Sequence, residues 1–473
     1  MKVAIVGAGT AGLFASLMLA RAGHEVIVLE RVRIQPAPDV ESAAAAAFRP
    51  SAPQIVQPHI VMARCRELLL QWLPDVYGAL ITAGVTEAPV WTQMPDSLSD
   101  HSTWPGDERL TMLMTRRSTV DWVLQRAVLA EPGVTLRYGV HVTGLLAAPG
   151  EPPQVTGVRT DHGDLAADLV LDAAGRRSQI DHWLGEIGAR PSATWWAECG
   201  LAYFSRHYRL RSTATLPALP TTRLVAGLDE FTIGIWGADN GTMQMAVVPL
   251  AADRRFRTLT NPHVFTAVVR TVPAYAAWLD VLDPISSVYP MAGLHNTLRH
   301  LVVDSTPVVT GLHAIGDSVC TTNPTLSRGL SLALLGTADL LDAIGKHDDD
   351  WAAQALAVDA LIDDHIAPFY EDQAAIDAAR LATLRHTIFN TPARHPPPPN
   401  THRVTYAQLR LAAAFDPTAF RAFWKIQGMI CQPGKIYTDP QVVACTRGVV
   451  DHVSNEASMA QPTRKQLLAA LAG

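Results

Sequence analysis

A glycine-rich turn near the start of the chain has residue types and spacing that suit dinucleotide binding. The segment GAGTAG occupies residues 7–12. Gly7 permits a tight turn, Gly9 lets the backbone approach a pyrophosphate, and Gly12 lets a helix pack closely against a strand. The helix that follows presents free N–H groups and a positive dipole end to the phosphates. The segment therefore predicts a dinucleotide site, but alone it does not distinguish NAD from FAD.

The segments on either side of this turn give it the context that the motif requires. KVAIV before it has the β-branched run of a buried parallel strand, and EVIVLER after the helix is a second strand that ends in Glu30. A carboxylate at this distance can accept hydrogen bonds from both ribose hydroxyls. Arg31 follows directly and is grouped with the same site.

A second turn before a helix lies far along the chain. Residues 316–332 have the sequence GDSVCTTNPTLSRGLSL, and an apolar helical pattern continues to about residue 344. A helix start of this kind favours an anionic or electron-rich ligand because its N–H groups are free. Asp317 is the candidate residue, and its alternative role is a plain N-cap of the following helix.

Composition sets the class of protein. The 473 residues are 48% hydrophobic and 17% charged, with a net charge of −6. These values predict a globular protein with a large core and argue against a nucleic-acid partner. The five cysteines are scattered without a CxxC pair, so neither a disulfide set nor a metal site is expected. Without a signal peptide or a bilayer-length apolar run, a cytoplasmic protein without a transmembrane segment is expected.

Hydrophobic periodicity predicts the elements that position these motifs. Residues 40–58 are alanine- and proline-rich and predict a loop, whereas residues 196–303 are strand-like and aromatic and predict a separate antiparallel layer. HPPPPN at 395–400 is a stiff break in a mostly helical tail. The remaining predictions are helices at 60–73 and 118–130, strands at 135–146 and 154–159, and a buried strand at 168–172.

Taken together, three segments resemble the FAD-dependent monooxygenases. GAGTAG with Glu30, DAAGRRS at 172–178 and the segment at 316–332 match that family in order and spacing. This family belongs to the glutathione-reductase-type flavoproteins. Its members include aromatic hydroxylases, epoxidases, flavin halogenases and geranylgeranyl reductases. The resemblance covers roughly residues 1–345 and implies an α/β fold. The implied parts are a Rossmann-like FAD-binding domain (1–195 and 304–345), a β-sheet substrate domain (196–303) and a helical C-terminal region (346–473).

The resemblance also implies roles at the flavin end of FAD. Asp317 is expected to bond to the ribityl chain, and Pro324 to shape the loop beside the isoalloxazine ring. Gly329 and Leu330 are expected to direct backbone N–H groups toward the pyrimidine edge of the ring. Such groups stabilise the negative charge that the reduced flavin carries there.

Further contacts are implied at the other parts of FAD. Arg117 matches an arginine that contacts the phosphate or ribityl region. Its neighbour Arg116 can take that place instead, and either can be a surface arginine. Val142 is expected to contact the adenine through its backbone, and Gly175 to pack beside the dinucleotide.

Two departures from the family pattern bear on the reaction. Two alanines separate Asp172 from Gly175, whereas aromatic hydroxylases have an adjacent Asp-Gly that serves FAD and NAD(P)H. We therefore expect slow direct reduction by NAD(P)H and faster turnover with a separate flavin reductase. Ser327 occupies a common glycine position, and Arg328 stands where Gln or His is frequent. Arg328 either adds positive charge near the flavin or points to solvent.

The resemblance implies oxygen transfer to a hydrophobic small molecule, by hydroxylation or epoxidation through a flavin C4a-hydroperoxide. No catalytic side chain is needed, because the chemistry is centred on the flavin. A reductase of the geranylgeranyl type and a non-catalytic flavin-binding protein are the alternatives. Halogenation is rejected, because the WxWxIP segment is missing and no lysine lies between residues 3 and 345.

Substrate contacts are expected from the aromatic layer and its surroundings. The predicted contacts are His59, Tyr203, His207 and Arg328. Alternation along the strand places Tyr203 and His207 on one face and Phe204 and Tyr208 on the other. Which face lies toward the substrate is left open.

Overall fold

The computed structural model describes residues 1–49, 52–212, 215–217, 225–348, 350–392, 402–452 and 460–473. Its strands, in chain order, are β1 (Lys2–Val6), β2 (Glu25–Glu30), β3 (Ile60–Val61), β4 (Thr86–Pro89), β5 (Thr111–Met114), β6 (Val134–Tyr138), β7 (Val142–Ala148), β8 (Gln154–Thr160), β9 (Gly163–Ala166), β10 (Leu169–Asp172), β11 (Ala193–Glu198), β12 (Tyr203–Leu210), β13 (Val225–Gly227), β14 (Phe231–Gly237), β15 (Thr242–Pro249), β16 (Leu282–Pro284), β17 (Tyr289–Met291), β18 (His295–His300), β19 (Val302–Val303), β20 (Thr306–Pro307), β21 (Leu312–Ala314) and β22 (Cys320–Thr321).

The α-helices, in the same order, are α1 (Thr10–Arg21), α2 (Val40–Ala45), α3 (Ala63–Trp72), α4 (Pro74–Thr82), α5 (Arg117–Ala130), α6 (Ile180–Glu186), α7 (Pro262–Arg270), α8 (Pro273–Leu279), α9 (Gly329–Lys346), α10 (Trp351–His365), α11 (Ala367–Phe389), α12 (Tyr406–Ala412), α13 (Pro417–Gln427), α14 (Pro433–Tyr437), α15 (Pro440–Val450) and α16 (Arg464–Ala472).

A parallel sheet brings the three motif segments together. Its order is β21-β10-β1-β2-β6, and every neighbouring pair in it is parallel. Val6 at the end of β1 pairs with Asp172 at the end of β10, which in turn pairs with Ala314 of β21. The turns after these three strands therefore meet at one edge of the sheet, where open α/β sheets bind ligands. The predicted α/β fold with a Rossmann-like sheet is confirmed.

The second layer is antiparallel, as residues 196–303 predicted. Its order is β13-β14-β15-β12-β16, with β17 also paired to β12. Two helices that the sequence did not predict, α7 and α8, cover one face. Phe204 and Tyr208 of β12 are buried on that side in the same cluster as Tyr275 and Trp278 of α8. The other face of β12 therefore points away from these two helices.

The C-terminal helices are integrated into the fold. A buried cluster joins side chains of α12, α13 and α15, such as Leu409 and Phe423, to Met112 of β5. Leu467 and Leu471 of α16 join the core beneath the antiparallel sheet. The tail thus packs against the small sheet β3-β5-β4 and against the antiparallel layer, which the sequence did not indicate.

Some local predictions need correction. Residues 40–58 were expected to form a loop, but they contain α2, which Asp39 caps by accepting a hydrogen bond from Ser42 N at 2.8 Å, and a 3-10 turn at Pro53–Val56. The predicted helix at 60–73 begins at Ala63, after the short strand β3. The break at 395–400 lies outside the described residues. Among the residues described, helices with the length and apolarity to cross a membrane are absent.

Candidate functional site

A long cavity lies along the carboxyl edge of the parallel sheet. It collects predicted residues from all three motif segments and from the chain between them. Those that line it are Gly7, Gly9, Glu30, Arg31, His59, Arg117, Val142, Gly175, Asp317, Pro324, Gly329 and Leu330.

The glycine turn has the geometry that its three glycines predicted. Gly7 has φ +106°, and a Cβ there would lie 2.6 Å from the carbonyl oxygen of Ala173. A Cβ on Gly12 would lie 2.0 Å from the carbonyl oxygen of Gly7, so only glycine lets α1 pack this closely on the turn. Gly9 faces open space at the cavity wall and is the N-cap of α1. The turn therefore exposes backbone where a phosphate can approach.

Glu30 ends β2 beside this turn. Its carboxylate accepts hydrogen bonds from the backbone N–H of Ala8 at 3.0 Å and of Val32 at 2.9 Å. The side chain is thereby fixed at the cavity wall, next to Arg31. Because a carboxylate has more acceptor sites than these two bonds use, ribose hydroxyls can still bond to it.

The structure separates the roles of the two neighbouring arginines. Arg116 is buried and bonded to Asp239, with Nε 3.0 Å from Oδ1, and it also reaches Glu41. Arg117 instead lines the cavity, and its Nε lies 2.9 Å from Asp121 Oδ1. Arg117 is therefore the arginine available to a ligand, while Arg116 holds the antiparallel sheet to the start of α5.

Asp317 is not an N-cap, so that alternative is wrong. It lies in a 3-10 turn at Gly316–Ser318, whereas α9 begins at Gly329, and its carboxylate faces the cavity. Among the described residues this carboxylate has no hydrogen-bond partner. Burial raises its pKa, and the nearby Arg117 and Arg176 partly oppose that rise. A half-buried acceptor that no described residue bonds to fits a ligand that brings hydroxyl donors.

Gly175 lies beside Asp317, and Ser318 of the same turn as Asp317 holds it in place. Its backbone N–H donates to Ser318 Oγ at 2.9 Å, and its φ is +77°. The segments after β10 and β21 are thus tied to each other at the cavity wall.

The loop before α9 closes the far end of this cavity. Pro324, Gly329 and Leu330 line it, and the N-terminus of α9 directs free N–H groups there. Ser327 has φ +55°, a left-handed conformation that explains why glycine is common at this position in the family.

Arg328 occupies neither of its two expected positions. It is fully buried, donates from Nη1 to the carbonyl oxygen of Phe369 at 2.8 Å and pairs with Asp372 at 2.5 Å. It lines neither the long cavity nor the one described next. The expectation of a substrate contact is therefore corrected: Arg328 anchors the loop to α11.

A second cavity adjoins the first and is largely apolar and aromatic. Shared residues, among them His59, Pro324 and Ser327, line both and mark where they meet. His59 Nδ1 lies 2.9 Å from the carbonyl oxygen of Gln57, so Nδ1 carries the proton and Nε2 is an acceptor. Burial and then Arg117 lower the pKa of His59 to about 4, which keeps the ring neutral at ordinary pH.

The antiparallel sheet turns the face with Tyr203 toward the second cavity. Tyr203 lines the cavity and donates its hydroxyl to Asn323 Oδ1, beside Pro324. His207 shares that face but lines neither cavity. It packs edge-on against Tyr289 instead, with ring centroids 5.9 Å apart. Tyr203 therefore lies in the wall of the second cavity, whereas the expected contact of His207 is corrected, because His207 reaches neither cavity.

Sequence reasoning missed the C-terminal contribution to the second cavity. Arg380 of α11, Tyr406 and Arg410 of α12, and Phe423 and Trp424 of α13 line it. These residues share no motif and come from separate helices, so only tertiary packing reveals them.

Comparisons with known proteins agree with this geometry. A family model described as an FAD binding domain matches residues 1–38. Protein Rv3254 of Mycobacterium tuberculosis is 26% identical over 368 residues, covering 72% of each chain. PqsL of Pseudomonas aeruginosa, a probable FAD-dependent monooxygenase, has TM-score 0.54 at 14% identity, covering 83% of this chain and 100% of its own. The flavin-dependent brominase Bmp2 has TM-score 0.60 at 16% identity, covering 95% and 98%.

The chain has the fold of the FAD-dependent monooxygenases and halogenases. The resemblance inferred from its motifs is thereby confirmed, and the cofactor that the match and fold imply is FAD. The residues present fit it: Gly9 leaves open space at the cavity wall, and Asp317 offers a carboxylate to which no described residue bonds. These findings support a flavin-dependent oxidoreductase.

Proposed function

We propose that this protein is an FAD-dependent monooxygenase that hydroxylates or epoxidises a hydrophobic small molecule. The observation that carries the proposal is the junction of the two cavities at His59 and Pro324. A molecule in the second cavity lies next to the end of the first cavity that Pro324 and Gly329 form. That end is where the flavin ring of a bound FAD is expected.

The residues of the chain have the roles of binding, orienting and excluding water. A bound and reduced FAD would supply the chemistry that activates O2. Glu30 and the glycine turn hold the nucleotide end, and Asp317 holds the ribityl chain. Neutral His59 offers Nε2 as an acceptor to a substrate hydroxyl at the junction, and Tyr203 forms part of the wall of the substrate cavity.

Electrons are proposed to come from NAD(P)H, through a separate flavin reductase. The support is the DAAGRRS segment, which lacks the adjacent Asp-Gly of the self-reducing hydroxylases. Gly175 of that segment lines the first cavity, and its backbone N–H is bonded to Ser318. The cytoplasmic location stays a prediction.

Halogenation is the activity in the names of some structural neighbours, such as the brominase Bmp2, and it needs a lysine between flavin and substrate. No lysine is among the described residues that line either cavity. The lysines stand at positions 2, 346, 425, 435 and 465. This distribution favours oxygen transfer over halogenation.

The test is a single-turnover experiment on the FAD-loaded protein. We expect slow anaerobic reduction by NADPH or NADH alone, faster turnover with an added flavin reductase, and incorporation of one atom of labelled O2 into an aromatic or polyene substrate. Substrate reduction without O2 would identify a reductase instead. Flavin photoreduction without any turnover across the substrate panel would identify a non-catalytic flavin-binding protein.

A further inference from the structure

We propose that the substrate is an aromatic or polycyclic molecule with one anionic group, such as a carboxylate, that binds to Arg410. This inference rests on the proposed role of the second cavity as the substrate site. Beyond that proposed function, it specifies the charge of the substrate and the orientation in which the substrate binds.

The charge of the cavity wall is the first observation. The described residues that line the second cavity include the two arginines Arg380 and Arg410 and neither aspartate nor glutamate. Arg380 is neutralised, because its Nη1 lies 3.1 Å from Oδ1 of the fully buried Asp377. The wall therefore keeps about one positive charge, that of Arg410.

Arg410 bonds to a backbone carbonyl and, in the part of the chain that the structure describes, to no carboxylate. Its Nη2 donates to the carbonyl oxygen of Val225 at 3.0 Å, and within the described ranges no Asp or Glu pairs with it. The other arginines of the C-terminal helices α11 and α13 do have such partners: Arg385 pairs with Glu198 and Arg421 with Asp107. A guanidinium that faces a largely apolar cavity favours a carboxylate, because charge-assisted bonds are stronger where water is excluded.

The position of Arg410 sets the orientation of the substrate. Arg410 and Tyr406 of α12 line the second cavity but not the first, whereas His59 and Pro324 line both. An anionic group on Arg410 is thus held away from the junction. The rest of the molecule then extends toward His59, where the proposed reaction takes place.

The shape of the wall favours an aromatic body. Trp236 on the sheet and Phe423 and Trp424 on α13 line the same cavity. The rings of Phe423 and Trp424 meet nearly edge-on, with centroids 5.4 Å apart. Such surfaces bind flat apolar molecules through area burial and ring contacts.

The experiment compares acids with their uncharged amides. The probes are 1-naphthoate and 1-naphthamide, 2-naphthoate and 2-naphthamide, and indole-3-acetate and indole-3-acetamide. Binding to the FAD-loaded protein is followed by quenching of tryptophan fluorescence and by calorimetry, neither of which needs turnover. We expect the acid of at least one pair to bind about ten-fold more tightly than its amide.

Variants decide whether Arg410 causes this preference. Arg410→Gln should bring the acid-to-amide ratio near one and leave amide binding nearly unchanged, while Arg410→Lys retains part of the preference. Arg403→Gln is the matched control, because Arg403 is exposed on the same segment and lines neither cavity. Thermal melting checks that each variant is folded.

The outcomes separate this inference from the proposed function. If no acid in the panel binds more tightly than its amide, or if Arg410→Gln keeps the preference, the inference is overturned. If the preference depends on Arg410 but no labelled oxygen enters any substrate, the anion site stands and the monooxygenase proposal fails.

Discussion

Arg328 and Asp372 form an ion pair inside the protein, with Nη2 of the arginine 2.5 Å from Oδ2 of the aspartate. Both side chains are buried, and Tyr437 of α14 donates its hydroxyl to the other carboxylate oxygen of Asp372 at 2.7 Å. Arg328 directly precedes Gly329, the first residue of α9. The C-terminal helices therefore hold the loop that closes the end of the first cavity where the flavin ring is proposed to bind.

Removing one member of this pair should be costly. Arg328→Met leaves Asp372 buried without its cation, and we expect the free energy of unfolding to fall by about 3–5 kcal/mol. The double variant Arg328→Met with Asp372→Leu should regain much of this loss, because no buried charge is left unpaired. Urea unfolding of both variants measures the difference, and equal stabilities would show that the pair is not coupled.

Asp317→Ala should weaken FAD binding by roughly ten- to a hundred-fold, since a charged acceptor facing the cavity is removed. Product formed per flavin oxidised should fall as well, because the flavin ring is held less firmly. Asp164→Ala on the exposed strand β9 is the control. FAD titration by calorimetry is the measurement. Unchanged affinity and coupling would remove Asp317 from the cofactor site.

Glu30→Ala should lower FAD affinity by about ten-fold and change the chemical step little, because Glu30 acts at the nucleotide end. The variant also loses the acceptor for Ala8 N–H, which orders the glycine turn. Glu25→Ala, exposed at the start of the same strand, should bind FAD normally. If Glu30→Ala binds FAD like the parent protein, the proposed role of Glu30 at the ribose is contradicted.

Ser327→Gly should stabilise the protein by about 1 kcal/mol, because a non-glycine residue in the left-handed region is strained. Ser305→Gly provides a matched comparison, since Ser305 has φ +57° on an exposed turn away from both cavities. Both substitutions should raise the melting temperature, and only Ser327→Gly should alter FAD affinity. No rise in the melting temperature for Ser327→Gly would show that its backbone is not strained.

His207 should make stability depend on pH. Burial and then Arg116 lower its pKa to about 4 from the ordinary value of 6.5. The unfolded chain therefore takes up this proton first, so stability is fully present above about pH 6.5 and is lost as pH falls toward 4. At pH 5 this loss amounts to about 2 kcal/mol.

His207→Gln removes the proton uptake and should reduce the loss of stability between pH 7 and pH 5 by that amount. Urea unfolding at both values measures it, and the comparison with the parent protein cancels the contributions of other titrating groups. His263→Gln, at an exposed position of α7, is the control. An unchanged pH dependence in His207→Gln would contradict the low pKa.

The sequence by itself determined the local geometry of the glycine turn and of Glu30 beside it. Gly7, Gly12 and Glu30 act through local geometry, namely a tight turn, a close helix contact and a strand end, and such geometry follows from residue type and short spacing. The apolar runs of β1, β2 and β10 likewise predicted the parallel sheet that brings the three motif segments to one edge.

Only the tertiary structure decided which residues face the second cavity. The alternation of β12 could not show whether Tyr203 or Phe204 points inward, because that depends on α7 and α8 covering the other face. Arg410 and Trp424 reach the cavity from helices with no motif of their own. Arg328 looked available beside the flavin, yet a partner 44 residues away buries it. Contacts between distant segments depend on packing, which local sequence patterns do not encode.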